Sequence, residues 1–360
     1  MMAFANRYSS LDRALHRLAF LTRPAQLALA DIEEQLFKTR LADIEVQKPV
    51  FITALPRAGT TLLLEMCVTL EGFASHCYRD MPFVLCPMLW DRFSTRFRQS
   101  DTPRERAHGD GMLVSVDSPE AFEEMVWRAF WGQHYGADHI VPWSQEEDPE
   151  FSEFLRSHVR KIIALRRSKT SPAGRYVSKN NLNIARIAIL RRIFPDAIVL
   201  IPFRDPLQHA ASLLRQHGNF LAIHSRDSFA RDYMAAIGHY DFGANLRPVN
   251  FDAWFTSIQA PAPTTLTFWL EYWTATYRYL LSQIDNRVRL LSYEALCHEP
   301  TAGLERIADF LEIDAGAAFI DQATQLRLAK PHPVDTSTVD AMVLQSATAL
   351  HGKLMEASVV

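Results

Sequence analysis

Arg57, Gly59, Thr60 and Thr61 lie in the run Pro49-Val-Phe-Ile-Thr-Ala-Leu-Pro-Arg-Ala-Gly-Thr-Thr-Leu-Leu-Leu64, and their types and spacing suit the capture of an anion. Apolar β-formers end at Pro56, a short loop follows, and helix formers resume. Strand, loop and helix start gather backbone N–H groups and hydroxyls at the positive end of a helix. Gly59 admits close approach of the backbone to an anion. Thr60 and Thr61 suit helix capping and donation to oxyanions, and Arg57 brings the cation. A second segment, Ile193-Phe-Pro-Asp-Ala-Ile-Val-Leu-Ile-Pro-Phe-Arg-Asp-Pro206 followed by Ala210-Ala-Ser212, repeats the theme. A strand ends at Arg204, and a helix starts after Pro206, a favoured first-turn residue. Arg204 can fork onto a phosphate with Ser212 two helical turns further along. Two anion sites on one edge point to a nucleotide phosphorylated at two separate places.

The elements that position these residues are legible in outline. Besides the apolar run from Pro49, residues 74–78, 175–178, 197–203 and 287–292 read as short apolar strands. Helical patterns cover 62–70, 183–194, 206–216 and 265–284. Such alternation predicts an α/β fold: a P-loop-like three-layer sandwich with a central parallel sheet, helices on both faces and helical insertions. Ligands then sit at the carboxyl ends of the strands. The expected divisions are an N-terminal helical segment (1–48), a main domain (49–315) with insertions at about 101–171 and 219–263, and a C-terminal segment (316–360). The last is expected to form a nucleotide lid plus a helix. In the first, Leu11, Leu15, Leu18 and Phe20, then Leu27, Ile32, Leu36 and Leu41, predict two amphipathic helices broken near Pro24, starting after Ser9 and Ser10. They pack on the core, or serve as a dimerisation or lid element. Residues 118–131 read as one further helix inside the first insertion.

Bulk properties narrow the function. The 360 residues are 48% hydrophobic and 22% charged, as in an ordinary globular protein. A net charge of -3 gives no electrostatic basis for nucleic-acid binding. Cys67, Cys77, Cys86 and Cys297 show neither a C-x-x-C pair nor zinc spacing, which suits reduced thiols and a cytoplasmic location. Neither a signal peptide nor a membrane span is expected, because no apolar run approaches about 20 residues. A homo-oligomer is compatible with the sequence.

The combined motifs resemble those of sulfotransferases that use 3′-phosphoadenosine 5′-phosphosulfate (PAPS). Pro56-Arg57-Ala58-Gly59-Thr60-Thr61-Leu62 is similar to that family's 5′-phosphosulfate loop. The stretch from Phe194 through Arg204-Asp-Pro to Ser212 is similar to its 3′-phosphate motif, and Ser292-Tyr293-Glu294 with Ile307-Ala-Asp-Phe-Leu311 to its late strand and helix. A loop with Pro-Arg in place of lysine looks nearer to the bacterial and tyrosyl-protein enzymes than to cytosolic phenol enzymes. The resemblance implies sulfuryl transfer from PAPS to an acceptor hydroxyl, leaving adenosine 3′,5′-bisphosphate. It implies Arg57 and Lys179 as cations at the transferring end, and Tyr293 near adenine. Arg327 and Lys330 fall where the family often has a basic segment closing over the nucleotide. Each has a plainer reading: a solvated lysine at 179, an ion pair at Arg204, a small helix contact at Ser212, a core tyrosine at 293, exposed cations at 327 and 330. The migrating group carries less charge than a phosphoryl, so no metal is required.

A general base is harder to read. The family's glutamate after the first helix is missing from Ala74-Ser-His-Cys-Tyr-Arg-Asp-Met-Pro82. Asp80 is the first choice there, or else a partner of Arg79 or a helix cap. His76 is a second choice or a buried structural histidine. Glu123 and Glu124 are a third, with Phe122 and Trp127 beside an acceptor, or the polar face of an ordinary helix. Met81, Phe83, Met88, Trp90, Phe122, Trp127 and Trp131 suggest an apolar acceptor pocket. The acceptor is a small molecule, a lipid, a carbohydrate or a tyrosyl hydroxyl. His239 and Asp241 lack further metal ligands nearby and read as a loop turn. The competing readings are an ATP- or GTP-dependent P-loop phosphotransferase, with Asp205 on Mg2+, and a non-catalytic nucleotide-binding protein of the same fold.

Overall fold

A computed structural model describes residues 10–94, 104–105, 113–115, 117–144, 146–167, 174–256, 260–314 and 316–360. Five parallel strands form the central sheet: β1 (Val50–Ile52), β2 (Phe73–Ala74), β3 (Arg175–Lys179), β4 (Ile198–Phe203) and β5 (Val288–Ser292). Their order is β2-β3-β1-β4-β5. Alternate residues of each strand face opposite layers. Val50, Ile52, Ile198 and Leu200 pack with Leu63, Leu64, Leu304 and Ile307, from the helices Thr60–Val68 and Pro300–Leu311. Phe51, Val199, Ile201 and Phe203 pack on the other face with the helices Pro149–Arg166, Pro206–Arg226 and Leu266–Leu281. The expected three-layer α/β sandwich is therefore the observed one. No helix among the described residues is long and apolar enough to cross a membrane.

Register fixes what meets at the carboxyl edge. Ile52 lies beside Lys179 on one side and Leu200 on the other. Phe203 lies beside Ser292. The loop after β1, Lys179, Arg204 and Tyr293 thus emerge side by side. The chain leaves β1 toward β2 and leaves β4 toward β5, so the two connections diverge and open a crevice at a topological switch point.

Several boundaries differ from the sequence reading. The strand expected at 74–78 ends at Ala74, because Cys77 bridges to Pro119 and Tyr78–Asp80 turn into a 3-10 helix. The helix expected over 118–131 runs only from Glu124 to Phe130. The one expected over 206–216 continues to Arg226, into the second insertion. The pattern at 183–194 divides into a 3-10 turn, Asn181–Ala185, and a helix, Ile187–Ile193.

The N-terminal helices Ser10–Leu21 and Arg23–Leu36 meet at Thr22, with Pro24 accommodated in the first turn of the second. Their apolar stripe is only partly buried: Leu27 and Leu41 pack against the main core and Phe20 against a smaller cluster. Leu18 is 55% exposed and Leu36 65%, whereas Gln26, Ala30 and Glu33 turn inward. Ser9 and the side chain of Leu11 lie outside the described residues. The anchor is polar: Lys161 Nζ stands 3.2 Å from Glu33 Oε2 and donates to the Ala30 carbonyl at 2.8 Å. Glu33 Oε1 accepts from the Leu89 amide at 2.6 Å. Burial pushes the Glu33 pKa up while Lys161 pulls it down. Removing the ammonium alone leaves a buried carboxylate without its counter-charge. Lys161→Met is expected to lower unfolding free energy by about 3–5 kcal/mol, measured by urea denaturation; a loss below about 1 kcal/mol would contradict this anchoring.

Candidate active site

The loop after β1 is shaped by its backbone. Arg57 and Gly59 both adopt positive φ, 72° and 96°. Gly59 occupies the N-cap of the helix Thr60–Val68, and no side chain caps that end. The face of Tyr293 closes over it: a Cβ at position 59 would lie 2.6 Å from Tyr293 Cδ2. Such a cradle fits a phosphate group, since the first-turn donors of the helix are not taken by a capping side chain.

Hydrogen bonds between strand ends hold the cradle. Thr53 N donates to Leu200 O at 3.0 Å, and Asn180 N to Ile52 O at 3.1 Å. Thr53 Oγ1 donates to Asn180 O at 2.8 Å. Arg204 Nη1 donates to the Arg57 carbonyl at 3.2 Å, and its Nε lies 3.4 Å from Glu294 Oε1. Its guanidinium lies 5.8 Å from the Tyr293 ring centroid. Ser212 is buried two turns along the helix Pro206–Arg226. The ion-pair reading of Arg204 is thus realised, with Glu294 as the carboxylate. Asp205, the carboxylate a Mg2+-dependent reading would need, accepts from Gln208 N at 2.9 Å and caps that helix. His209 Nε2 donates to the Pro56 carbonyl at 2.8 Å. Burial, with the Arg204 charge nearby, holds the His209 pKa down to about 3, so the ring is a neutral tie between the helix Pro206–Arg226 and the loop after β1.

At this edge the structure brings together Arg57, Gly59, Arg204 and Tyr293; Ala58 and Thr60 beside them are buried, and Leu62 packs against the cluster of Leu63 and Leu304. Lys179 joins the edge at the end of β3. Tyr293 OH donates to Arg327 O at 3.2 Å, so the late segment crosses the same edge, with the Arg327 and Lys330 side chains exposed.

The residues considered for the base occupy structural positions. Both oxygens of Asp80 accept from Arg166 Nη2, at 2.6 and 2.5 Å, and Oδ2 also accepts from Cys77 N at 2.9 Å. Burial alone would raise its pKa. The hydrogen bond to His76 and the Arg166 charge outweigh that and bring it to about 2, which makes Asp80 a poor base. The pairing is with Arg166, not Arg79. His76 stacks on His158 at 5.0 Å in the interior. Glu123 accepts from Ser178 Oγ at 2.7 Å, Asn183 Nδ2 at 3.0 Å, Tyr176 OH at 3.1 Å and Trp127 Nε1 at 3.2 Å. Glu124 pairs with fully buried Arg186, receives Tyr135 OH, and accepts from Asn180 Nδ2 at 2.8 Å. These glutamates form no polar helix face; they brace the turn after Lys179.

The expected acceptor aromatics divide similarly. Met88, Trp127 and Trp131 belong to the main core. Met81 and Phe122 form a separate small cluster with Val84 and Met125, and the Phe83 and Trp90 rings lie 4.9 Å apart. His239 lies 3.6 Å from Asp241, which accepts from Asn181 Nδ2 at 3.2 Å and so staples the loop after β3. Sequence reasoning missed Arg186, Asn180 and His209. The polar run Asn180-Asn181-Leu182-Asn183 after a buried strand was the one available signal.

Comparison with known proteins follows this geometry. The model of a family described as the sulfotransferase family matches residues 49–251, leaving β5 and the late segment outside the match. Curated proteins give no match. Among solved structures, a sulfotransferase from Mycobacterium avium is 13% identical, with 91% of this chain and 81% of that chain covered and a TM-score of 0.49. One from Mycobacterium tuberculosis H37Rv is 13% identical, covers 95% and 86%, and scores 0.48. One from Alicyclobacillus acidocaldarius is 11% identical, covers 87% and 94%, and scores 0.38.

Gly59→Ala tests the cradle directly. The φ of 96° and the 2.6 Å approach to Tyr293 both oppose a side chain here. The variant is expected to lose about 1–3 kcal/mol of stability, in a denaturant titration, and to bind anionic nucleotide far more weakly. Wild-type stability and binding would contradict the cradle.

Proposed function

The chain belongs to the sulfotransferase family and is a sulfotransferase, and from this we propose that it moves the sulfuryl group of PAPS to an acceptor hydroxyl by in-line displacement. One observation carries the proposal. The Arg57–Gly59 loop and the Arg204–Ser212 segment meet at one sheet edge through the Arg204 Nη1 to Arg57 carbonyl bond of 3.2 Å, which supports reading them as two anion sites for one nucleotide. A nucleotide bearing a 5′-phosphosulfate and a 3′-phosphate has that bipolar charge pattern; a nucleoside triphosphate concentrates its charge at one end.

In this reading, Arg57 through Leu62 hold the 5′-phosphosulfate with backbone N–H groups and the Thr60 and Thr61 hydroxyls. Arg204 and Ser212 hold the 3′-phosphate, with Tyr293 against the adenine. Arg57 and Lys179 stabilise the charge that grows on the leaving phosphate oxygen as its bond to sulfur breaks and the acceptor oxygen bonds to sulfur. The acceptor proton passes to a group other than Asp80, whose carboxylate is too acidic to take it. The reaction needs no metal, because the sulfuryl group carries little charge and two cations flank the leaving oxygen. The neutral His209 ring and the Glu123 and Glu124 networks keep the two anion segments in register, a contribution of positioning.

Ligand-linked stability tests the donor. Adenosine 3′,5′-bisphosphate at about 100 times its dissociation constant is expected to add about 2.7 kcal/mol of stability, read as a rise in the thermal midpoint. A rise with ATP·Mg2+ and none with the bisphosphate would refute the proposal. The roles divide by kinetics. Arg57→Ala and Lys179→Ala are expected to lower kcat about 100-fold or more with smaller changes in donor KM. Arg204→Ala is expected mainly to raise donor KM; the reverse pattern would reassign them.

A further inference from the structure

The coil that follows Gln325 and precedes the helix Ala341–Ala357 crosses the donor edge and is tied down at two points. Tyr293 OH holds the Arg327 carbonyl at 3.2 Å. Gln208 then makes a reciprocal clamp with the backbone of His332: its Nε2 donates to His332 O at 3.2 Å, and His332 N donates to its Oε1 at 2.7 Å. Gln208 lies in the first turn of the helix Pro206–Arg226, between the capping Asp205 and the buried Ser212. The clamp therefore sets His332 over the segment that carries the second anion site.

The charges acting on this imidazole come from three other elements. They are Arg215 on the helix one turn past Ser212, Arg204 at the end of β4, and Arg57 in the loop after β1. The nearby carboxylates are engaged elsewhere: Glu294 with Arg204, Asp205 with Gln208 N, and Asp335 with Ser337 N at 2.9 Å. On the coil itself, Arg327 and Lys330 add exposed positive charge. The helix itself carries His209, which is buried, neutral and committed to Pro56, and further along His217 and His224, which accept from the Gly243 and Ala244 amides. Burial first, and then the three arginines, hold the His332 pKa below its ordinary value. A dianion that neutralises the arginines removes their share of this shift and favours the protonated ring.

We propose that His332 is a donor-binding residue, latched in place by Gln208, that takes up one proton from solvent when the donor's 3′-phosphate settles on Arg204. The inference rests on the donor reading above. No covalent bond changes; the proton moves from water or buffer to a ring nitrogen and returns when the nucleotide leaves. The sign follows from linkage. Binding raises the pKa of His332, so affinity is greatest at low pH and falls as pH rises through the pKa of the complex.

The test is calorimetric titration of the full chain with adenosine 3′,5′-bisphosphate, in buffers of differing ionisation enthalpy, between about pH 6.5 and about pH 8.5. Wild type is expected to take up a fraction of a proton near neutrality. Its affinity should fall about tenfold more over that range than that of His332→Gln, and the variant should show no uptake. His332→Lys, with a permanent charge, should bind without uptake and with little pH dependence. Gln208→Ala should weaken binding several-fold and lose the uptake, although His332 and Arg204 are intact. Adenosine 5′-monophosphate, which lacks the 3′-phosphate, should bind without uptake. Equal uptake by wild type and His332→Gln would overturn the proposal while leaving the donor reading intact. Failure of the bisphosphate to bind at all would overturn the donor reading and this inference with it.

Discussion

Parallel, in-register pairing of β1 with β3 and β4 is the constraint on which the site depends. Three residues, Val50–Ile52, sit fully buried between two neighbours and have no freedom to slip. A slip of one position would turn Phe51 into the layer of Leu63 and Leu304 and send Val50 and Ile52 the other way. Because the strands are parallel, every carboxyl end falls on the same edge. The loop after Ile52, Lys179, Arg204 and Tyr293 are neighbours for that reason. Backbone pairing alone brings these strand ends to one edge, before any side chain contributes.

The edge is then stiffened by buried polar groups. Glu123 and Glu124 satisfy Tyr176, Ser178, Asn180, Asn183 and Arg186 below the turn after β3. Arg186 lies 4.0 Å from the Trp127 ring centroid, so a desolvated guanidinium is sandwiched between a carboxylate and an indole. A network of this kind is rigid because any member that moves leaves a charge or donor without a partner in a low-dielectric interior. The Asp80–Arg166 pair does the same for the turn after β2. Carboxylates that resemble catalytic bases by type and position therefore act as braces, and the low pKa of Asp80 reflects that use.

Local signals were readable. The strand-loop-helix around Gly59, the start of a helix after Pro206 and the run of β-formers before Arg204 each depend on the preferences of a few adjacent residues. The N-terminal helices were legible as helices but not in their facing. The leucine stripe predicted burial, which Leu27 and Leu41 show and Leu18, Ile32 and Leu36 do not; the inward face also carries Gln26 and Glu33, because Lys161 on another helix supplies the counter-charge. Trp127 and Trp131 were equally ambiguous: an aromatic helix face looks the same in sequence whether it lines a pocket or fills a core. His209 and Gln208 stood inside a recognised motif, but their partners, Pro56 and His332, are 153 and 124 positions away.

By itself, the sequence determined most of the elements, the two segments proposed to bind the donor and the class of fold, because steric and hydrogen-bonding preferences act over short stretches of chain. Tertiary structure alone decided which polar groups are spent on the scaffold and which face the crevice. Arg204 meets the Arg57 carbonyl across 147 positions, and Glu124 meets Asn180 across 56. The physical reason is desolvation: a buried charge is tolerable only beside a partner, and that partner is supplied by strand register and layer packing rather than by neighbours along the chain.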